Sequence, residues 1–211
     1  MAKIKLCGFK DINDIVFALN SGADFIGLNN ISISKRFVHA DDILKILNSL
    51  PLDKRKKIVV LMNYFDSDFV FNLKELGVEY LQSYLNENEE NILLKLDFKI
   101  FKVLHVTAHE DLLCLRDSRL TKFDKILLDS KVKNELGGTG QSFSWDLLND
   151  VDEKLFENLI LAGGINKTNL HTILADGFIK FVDIASGIED ENGGKSYALI
   201  KELITTAKAR Q

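Results

Sequence analysis

Residues 3–28 read KIKLCGFKDINDIVFALNSGADFIGL, and the spacing of apolar residues within them decides the fold. Residues 3–7 and 24–28 are short apolar runs suited to strands, whereas 11–20 carry apolar residues at helical spacing. Asp11 stands at the start of that helical stretch, where its carboxylate can accept bonds from free first-turn amides. Gly22 follows the stretch, where a left-handed residue ends a helix at little cost. Strand, helix and strand in this order form one unit of a parallel sheet.

The unit recurs along the chain. Strand runs are read at 57–62, 79–82, 99–104, 125–128, 158–161 and 181–184, with helical stretches at 41–49, 66–76, 87–96, 109–116, 145–149, 167–175 and 195–209. Asp41 and Asp66 are placed as caps like Asp11, and Gly77 and Gly177 as helix ends like Gly22. Eight strands alternating with eight helices, roughly 25 residues apart, are expected to close into a (β/α)8 TIM barrel. An open doubly wound sheet usually has fewer units and a glycine-rich first turn, and the first turn here is Cys7-Gly8-Phe9-Lys10. One proline and no Ser/Gly-rich stretch leave no linker, so residues 1–211 are expected to form a single barrel domain.

Composition narrows the class further. The 211 residues are 46% hydrophobic and 27% charged, too apolar for a disordered chain, and no uncharged run approaches the length of a membrane span. The net charge of −4, with neither sign gathered in a tail, argues against a nucleic-acid or anionic-membrane surface. A small anionic substrate needs only a few local charges and backbone dipoles. Cys7 and Cys114 are too few for a disulfide framework and lack metal-site spacing. The N-terminus turns polar too early for a signal peptide, and the cytoplasm is the expected compartment.

In such a barrel the chemistry gathers where the strands end. The residues there include Cys7, Asp129 and the glycines Gly163, Gly164 and Gly187, the last beside Ser186. Loops after the seventh and eighth strands commonly hold phosphate through backbone amides, although each glycine pair also suits an ordinary tight turn. Asp129 taken alone reads first as a helix cap or turn carboxylate, and only second as an acid. Cys7 reads as a packing residue or, given a depressed thiol and access to the mouth, a base, with Lys5 two residues back as a nearby cation. Arg36 is either a solvated charge or a carboxylate clamp. The four histidines are scattered without ligand spacing, so they are read as cap or surface residues and no metal is expected. Phe17, Phe25, Phe69, Phe71, Phe101 and Trp145 are read as packing.

These stretches together resemble the phosphoribosylanthranilate isomerase family of tryptophan biosynthesis, almost end to end. The resemblance is carried by Lys5-Leu6-Cys7-Gly8, Gly22-Ala23-Asp24 with Ile26-Gly27, Ser34-Lys35-Arg36-Phe37-Val38, and Leu127-Leu128-Asp129-Ser130 followed by Gly137-Gly138-Thr139-Gly140 and Phe143-Ser144-Trp145. Leu161-Ala162-Gly163-Gly164-Ile165 and 182–189 complete it. It implies an Amadori rearrangement of N-(5-phosphoribosyl)anthranilate, a small phosphorylated substrate, with no cofactor. By that likeness Asp129 is the acid that opens the furanose ring, Cys7 the base at C2′, and Arg36 the clamp on the anthranilate carboxylate. Backbone near Gly163, Gly164, Ser186 and Gly187 would hold the phosphate, with Asp183 beside the sugar. The chain departs from the pattern at Gln82-Ser83-Tyr84-Leu85, where the family has Gln-Leu-His-Gly, at Asn29-Asn30-Ile31-Ser32, and at Gly194-Lys195-Ser196. A related histidine-pathway barrel would show two aspartates and a two-fold repeat. A barrel that binds without turnover would have little reason to keep Cys7, Arg36 and Asp129 together. Monomer and homodimer both stay open.

Overall fold

The computed structural model describes residues 1–129, 153–175 and 177–209. Strands β1 (Lys3–Cys7), β2 (Phe25–Asn29), β3 (Ile58–Met62), β4 (Tyr80–Ser83), β5 (Lys99–His105), β6 (Lys125–Asp129), β7 (Leu159–Ala162) and β8 (Phe181–Ile184) form a closed barrel in chain order. All neighbours are parallel, including β8 with β1, where Lys5 faces Asp183 in register. Each strand run read from the sequence is present, with its ends within one residue. Helices α1 (Ile12–Asn20), α2 (Ala40–Ser49), α3 (Leu52–Arg55), α4 (Ser67–Glu75), α5 (Glu87–Lys95), α6 (Leu170–Ala175) and α7 (Tyr197–Lys208) fall between strands or after the last.

The alternation within each strand explains the layers. Ile4, Leu6, Ile26, Leu28, Ile58 and Val60 point outward and bury themselves against helix residues such as Ile15, Ile43, Leu47 and Val70. The other face fills the barrel with Val59, Phe101, Val103, Leu127, Ile160 and Phe181. Both faces are covered, as a parallel sheet requires. At the end of the barrel where the strands begin, Phe25, Tyr80, Phe101 and Phe181 form a floor of rings. Phe25 lies 4.9 Å from Tyr80, 5.7 Å from Phe101 and 5.5 Å from Phe181, and Tyr80 lies 5.4 Å from Phe101. Edge-on and tilted contacts of this kind suit the ring quadrupoles. The opposite end, where Cys7, Gln82 and Asp129 stand, is left for polar groups.

The helix ends follow local chemistry. Asp11 accepts from the amides of Asn13 and Asp14, and Asp66 from that of Phe69. Asn86 and Glu89 cap α5 reciprocally, so the acidic run there is a helix start rather than a loop. Gly22, Gly77 and Gly177 all hold positive φ after their helices.

Four expectations change. Asp41 is not a cap: α2 begins one residue earlier, His39 takes the cap position without a side-chain bond, and Asp41 joins Asp42 in the first turn. Acidic side chains there still face the helix's positive end. His109–Arg116 is a 3₁₀ helix rather than an α-helix. Its buried residues, Leu112 and Leu115, are three apart, the repeat of that tighter helix. Phe71 does not pack: α4 buries Phe69, Val70 and Leu73, and that face leaves Phe71 outward and 55% exposed. Leu52–Arg55 adds a helical turn that the sequence reading lacks. The expected helix at 145–149, with Trp145, lies outside the described residues, as do Ser130 and 137–144.

Phe101 is fully buried at the centre of the ring floor. Phe101→Ala is expected to cost about 3–5 kcal/mol in urea unfolding, since the rings around it cannot all collapse into the gap. A loss under about 1 kcal/mol would show that the floor is not part of the stabilising core.

Candidate active site

The site is built outward from the end of β1. Cys7 points into the barrel and is 5% exposed. Its neighbour on β2 is Gly27, and a Cβ there would lie 2.6 Å from the Cys7 Sγ. Only glycine leaves room for the thiol at this register. The amides of Gly8 and Phe9 both donate to the Gly27 carbonyl, which turns the chain out of the barrel just past the thiol. Gly8 holds φ +82, and a Cβ on it would meet the Cδ of Arg36 at 2.2 Å. The stem of Arg36 therefore lies directly across the exit of β1.

Loop residues 29–37 bring Arg36 there. Asn29 donates to the Ser34 Oγ and accepts from the Ile31 amide, and the Ser34 Oγ accepts from the Arg36 amide. The guanidinium then grips Glu189 along one edge with two bonds, Nε to Oε1 and Nη2 to Oε2, the latter at 2.7 Å. Of five guanidinium donors two are used, and the outer edge remains for another carboxylate. Arg36 is thus half-buried and anchored rather than a solvated surface charge. Lys195 donates to the same Glu189 at 3.1 Å and to the Cys7 carbonyl at 3.0 Å. Burial alone would raise the Glu189 carboxyl, but the bonds from Arg36 and the Lys195 charge hold it down at about 2.

Inside the barrel Lys5 donates to the Asp183 Oδ2 at 2.7 Å, with both side chains buried. Burial would depress the Lys5 ammonium, yet Asp183 and Cys7 hold it above its ordinary value. The Cys7 thiol moves the other way from a base's need. Burial pushes it up and Asp183 adds to that, while Lys5 and Lys195 pull it down without prevailing. A depressed thiol, the condition set by the sequence reading, is therefore absent from the site as it stands.

Across the mouth stands Asp129, at the end of β6 beside His105 of β5, whose Nδ1 lies 4.0 Å from the Asp129 Oδ2. Tyr84 follows β4. Its hydroxyl accepts from the Gln82 Nε2 at 3.1 Å, and its ring lies 6.1 Å from that of His105. Burial pushes the Tyr84 phenol up, with Asp129 and then Cys7 adding to the effect. Two buried acceptors, Gln82 Oε1 and Asp183 Oδ1, have no hydrogen-bond partner among the described residues. Buried acceptors of this kind are costly unless a ligand or water satisfies them.

The glycine loops after β7 and β8 meet. Gly163 and Gly164 hold positive φ, and the Gly164 carbonyl accepts from the side chains of Asn166 and Asn169. Ser186–Ile188 is one 3₁₀ turn, and a Cβ on Gly187 would lie 2.2 Å from the Ile165 carbonyl. Both expected loops therefore share one edge of the mouth.

Sequence reasoning missed Glu189, Lys195, Gln82 and the proximity of His105 to Asp129. His105 was read with the cap and surface histidines, yet it ends β5 in register with Asp129. That pairing was available once the strand ends were aligned. Nothing in the sequence marks Lys195 as a partner of Cys7, 188 positions away. Among the described residues no group of three or more His, Cys, Asp or Glu is placed to hold a metal ion.

Residues 4–206 match the family described as N-(5′phosphoribosyl)anthranilate (PRA) isomerase. The chain is 30% identical to N-(5′-phosphoribosyl)anthranilate isomerase of Aquifex aeolicus, over 99% of this chain and all of that one. It is 32% identical to the protein of the same name from Bacillus cereus strain AH187, over 98% of each. Among solved structures, the phosphoribosyl anthranilate isomerase of Thermotoga maritima superposes with a TM-score of 0.80 at 26% identity, covering 99% of both chains.

The Glu189 cluster has a pH signature. A carboxyl held at about 2, against an ordinary 4.5, stabilises the fold above pH 4.5 and loses that contribution as pH falls towards 2. Glu189→Gln is expected to be less stable than the parent at pH 6, with the gap narrowing through that window in urea titrations. A gap that stays constant down to pH 3 would show that the pairing does not hold the carboxyl ionised.

Proposed function

The chain belongs to the N-(5′-phosphoribosyl)anthranilate isomerase family and catalyses the family's Amadori rearrangement, and we propose that Asp129 and Cys7 perform it as acid and base across the barrel mouth. The reaction converts N-(5′-phosphoribosyl)anthranilate into 1-(2-carboxyphenylamino)-1-deoxyribulose 5-phosphate within L-tryptophan biosynthesis. The observation that carries the assignment is the placement of the two groups. Cys7 ends β1 and Asp129 ends β6, at the same end of the barrel.

In the first step Asp129 gives its proton to the furanose ring oxygen. The bond from that oxygen to C1′ breaks, and the nitrogen lone pair forms the Schiff base. Cys7, ionised against the cost of burial with the help of Lys5 and Lys195, then takes the C2′ proton as thiolate, and the electrons of that bond neutralise the iminium to give an enolamine. Reprotonation at C1′ and loss of the enol proton yield the ketose. One acid and one base on opposite faces suffice, and neither step calls for a metal or a redox partner.

The remaining contacts follow from charge and geometry. Arg36 offers its outer edge to the anthranilate carboxylate while Glu189 holds its inner edge. The unpartnered Asp183 Oδ1 and Gln82 Oε1 suit the hydroxyls of a sugar. Backbone at Gly163, Gly164, Ser186 and Gly187 lies where a phosphate at the far end of the ribose would rest, and glycine permits the close approach. We read the protein as a single barrel domain acting in the cytoplasm, which suits its two free thiols.

The test follows the fluorescence of freshly generated phosphoribosylanthranilate. The unmodified protein is expected to consume it, whereas Cys7→Ala and Asp129→Asn stay folded and lose turnover. An unchanged kcat in either variant removes that residue's role. Arg36→Met is expected to raise KM at least tenfold, from loss of about 1.5–3 kcal/mol of charge-assisted contact. A KM that stays put would reassign the carboxylate contact.

A further inference from the structure

The exit of β1 does more than carry Cys7. Each of its three residues is gripped by a charged side chain from elsewhere in the chain. The Cys7 carbonyl accepts from Lys195, Gly8 lies under the stem of Arg36, and the Phe9 ring lies 5.2 Å from the Lys195 Nζ. Phe9 is fully buried, and Lys195 is buried beside it. The two cations meet on one carboxylate, Glu189, which Lys35 also approaches at 3.6 Å. Lys35, Arg36 and Lys195 thus surround a single carboxylate.

We propose that Lys195 and Glu189 are positioning residues for this site, with Lys195 holding a positive charge against Cys7 and Glu189 fixing the guanidinium of Arg36. The inference rests on the roles of Cys7 and Arg36 given above. Among the described residues the charged and titratable groups that act on Cys7 or feel it are Lys5 on its own strand, Asp183 from β8, Arg36 from the loop after β2, Tyr84 after β4, and Lys195 ahead of α7. Lys5 is shared between Asp183, at 2.7 Å, and the Cys7 thiol, and Tyr84 stays neutral because burial pushes its phenol up. Arg36 is turned towards Glu189. Lys195 alone among these cations bonds the Cys7 backbone itself, so its charge is fixed relative to the thiol. Glu189 in turn keeps both cations in place, since two like charges so close would otherwise separate.

The two residues should therefore fail differently. On a Cys114→Ser background, which removes the exposed thiol, the rate of Cys7 modification by methyl methanethiosulfonate is followed by mass from pH 6 to 11. Lys195→Met is expected to move the Cys7 titration upward by about one pH unit, with kcat at pH 7 falling and KM little changed. Lys195→Arg should recover most of both. Glu189→Gln should raise KM several-fold while the Cys7 titration does not move upward. A Lys195→Met curve that superimposes on the parent's overturns the assignment of Lys195, and a Glu189→Gln protein with parental KM overturns that of Glu189. Should Lys195→Met not fold, Lys195→Met/Glu189→Gln leaves Arg36 without a buried counter-charge to lose and carries the same thiol readout. The modification assay needs no turnover. Failure of the acid and base roles would show instead as an active Cys7→Ala protein.

Discussion

The bond from Lys5 to Asp183 closes the barrel from within. The two residues are register partners on the first and last strands, so their pairing fixes how the sheet meets itself. A buried ion pair gives little net stability, because taking both charges out of water costs about as much as their attraction returns. It penalises misregistration, however, because a slip by one residue would turn every side chain of β1 to the other face. Cys7 would leave the mouth, and Lys5 would be buried without a partner. The position of the thiol thus follows from a charge pair one layer beneath it.

That layer also sets the electrical character of the mouth. Asp183 spends one oxygen on Lys5 and presents the other with no partner among the described residues, while Glu189 is shared among cations at the rim. The β1 and β8 side is therefore crowded with paired charge. The β4 to β6 side offers Gln82 and Tyr84, bonded to each other, and His105 beside Asp129. The acid and base roles proposed for Asp129 and Cys7 need such asymmetry, since uniform charge would push both groups the same way.

The fold was legible in the sequence to within a residue at each strand, because burial on both faces leaves apolar runs that composition cannot hide. Helix ends were legible where a side chain makes the cap, as at Asp11 and Asp66. They were misplaced where backbone alone starts the helix, as at His39. Phe71 shows the same limit: an aromatic residue says that it packs, while only the helix phase says on which side. Cys7, Asp129 and Arg36 were visible as unusual residues at strand ends and in one loop. Their supports were not, because Glu189 and Lys195 reach Arg36 and Cys7 across 153 and 188 positions, and nothing local marks the partnership. The direction of the Cys7 thiol was equally hidden, since burial is a property of all the strands together.

The ring floor has a bearing on traffic as well as on packing. Phe25, Tyr80, Phe101 and Phe181 fill one end of the barrel. The barrel is therefore closed to traffic at the end where its strands begin, which leaves the mouth for entry and exit. Whatever enters must leave by the way it came, so a departing product and an arriving substrate contend for one doorway, and filling and emptying alternate.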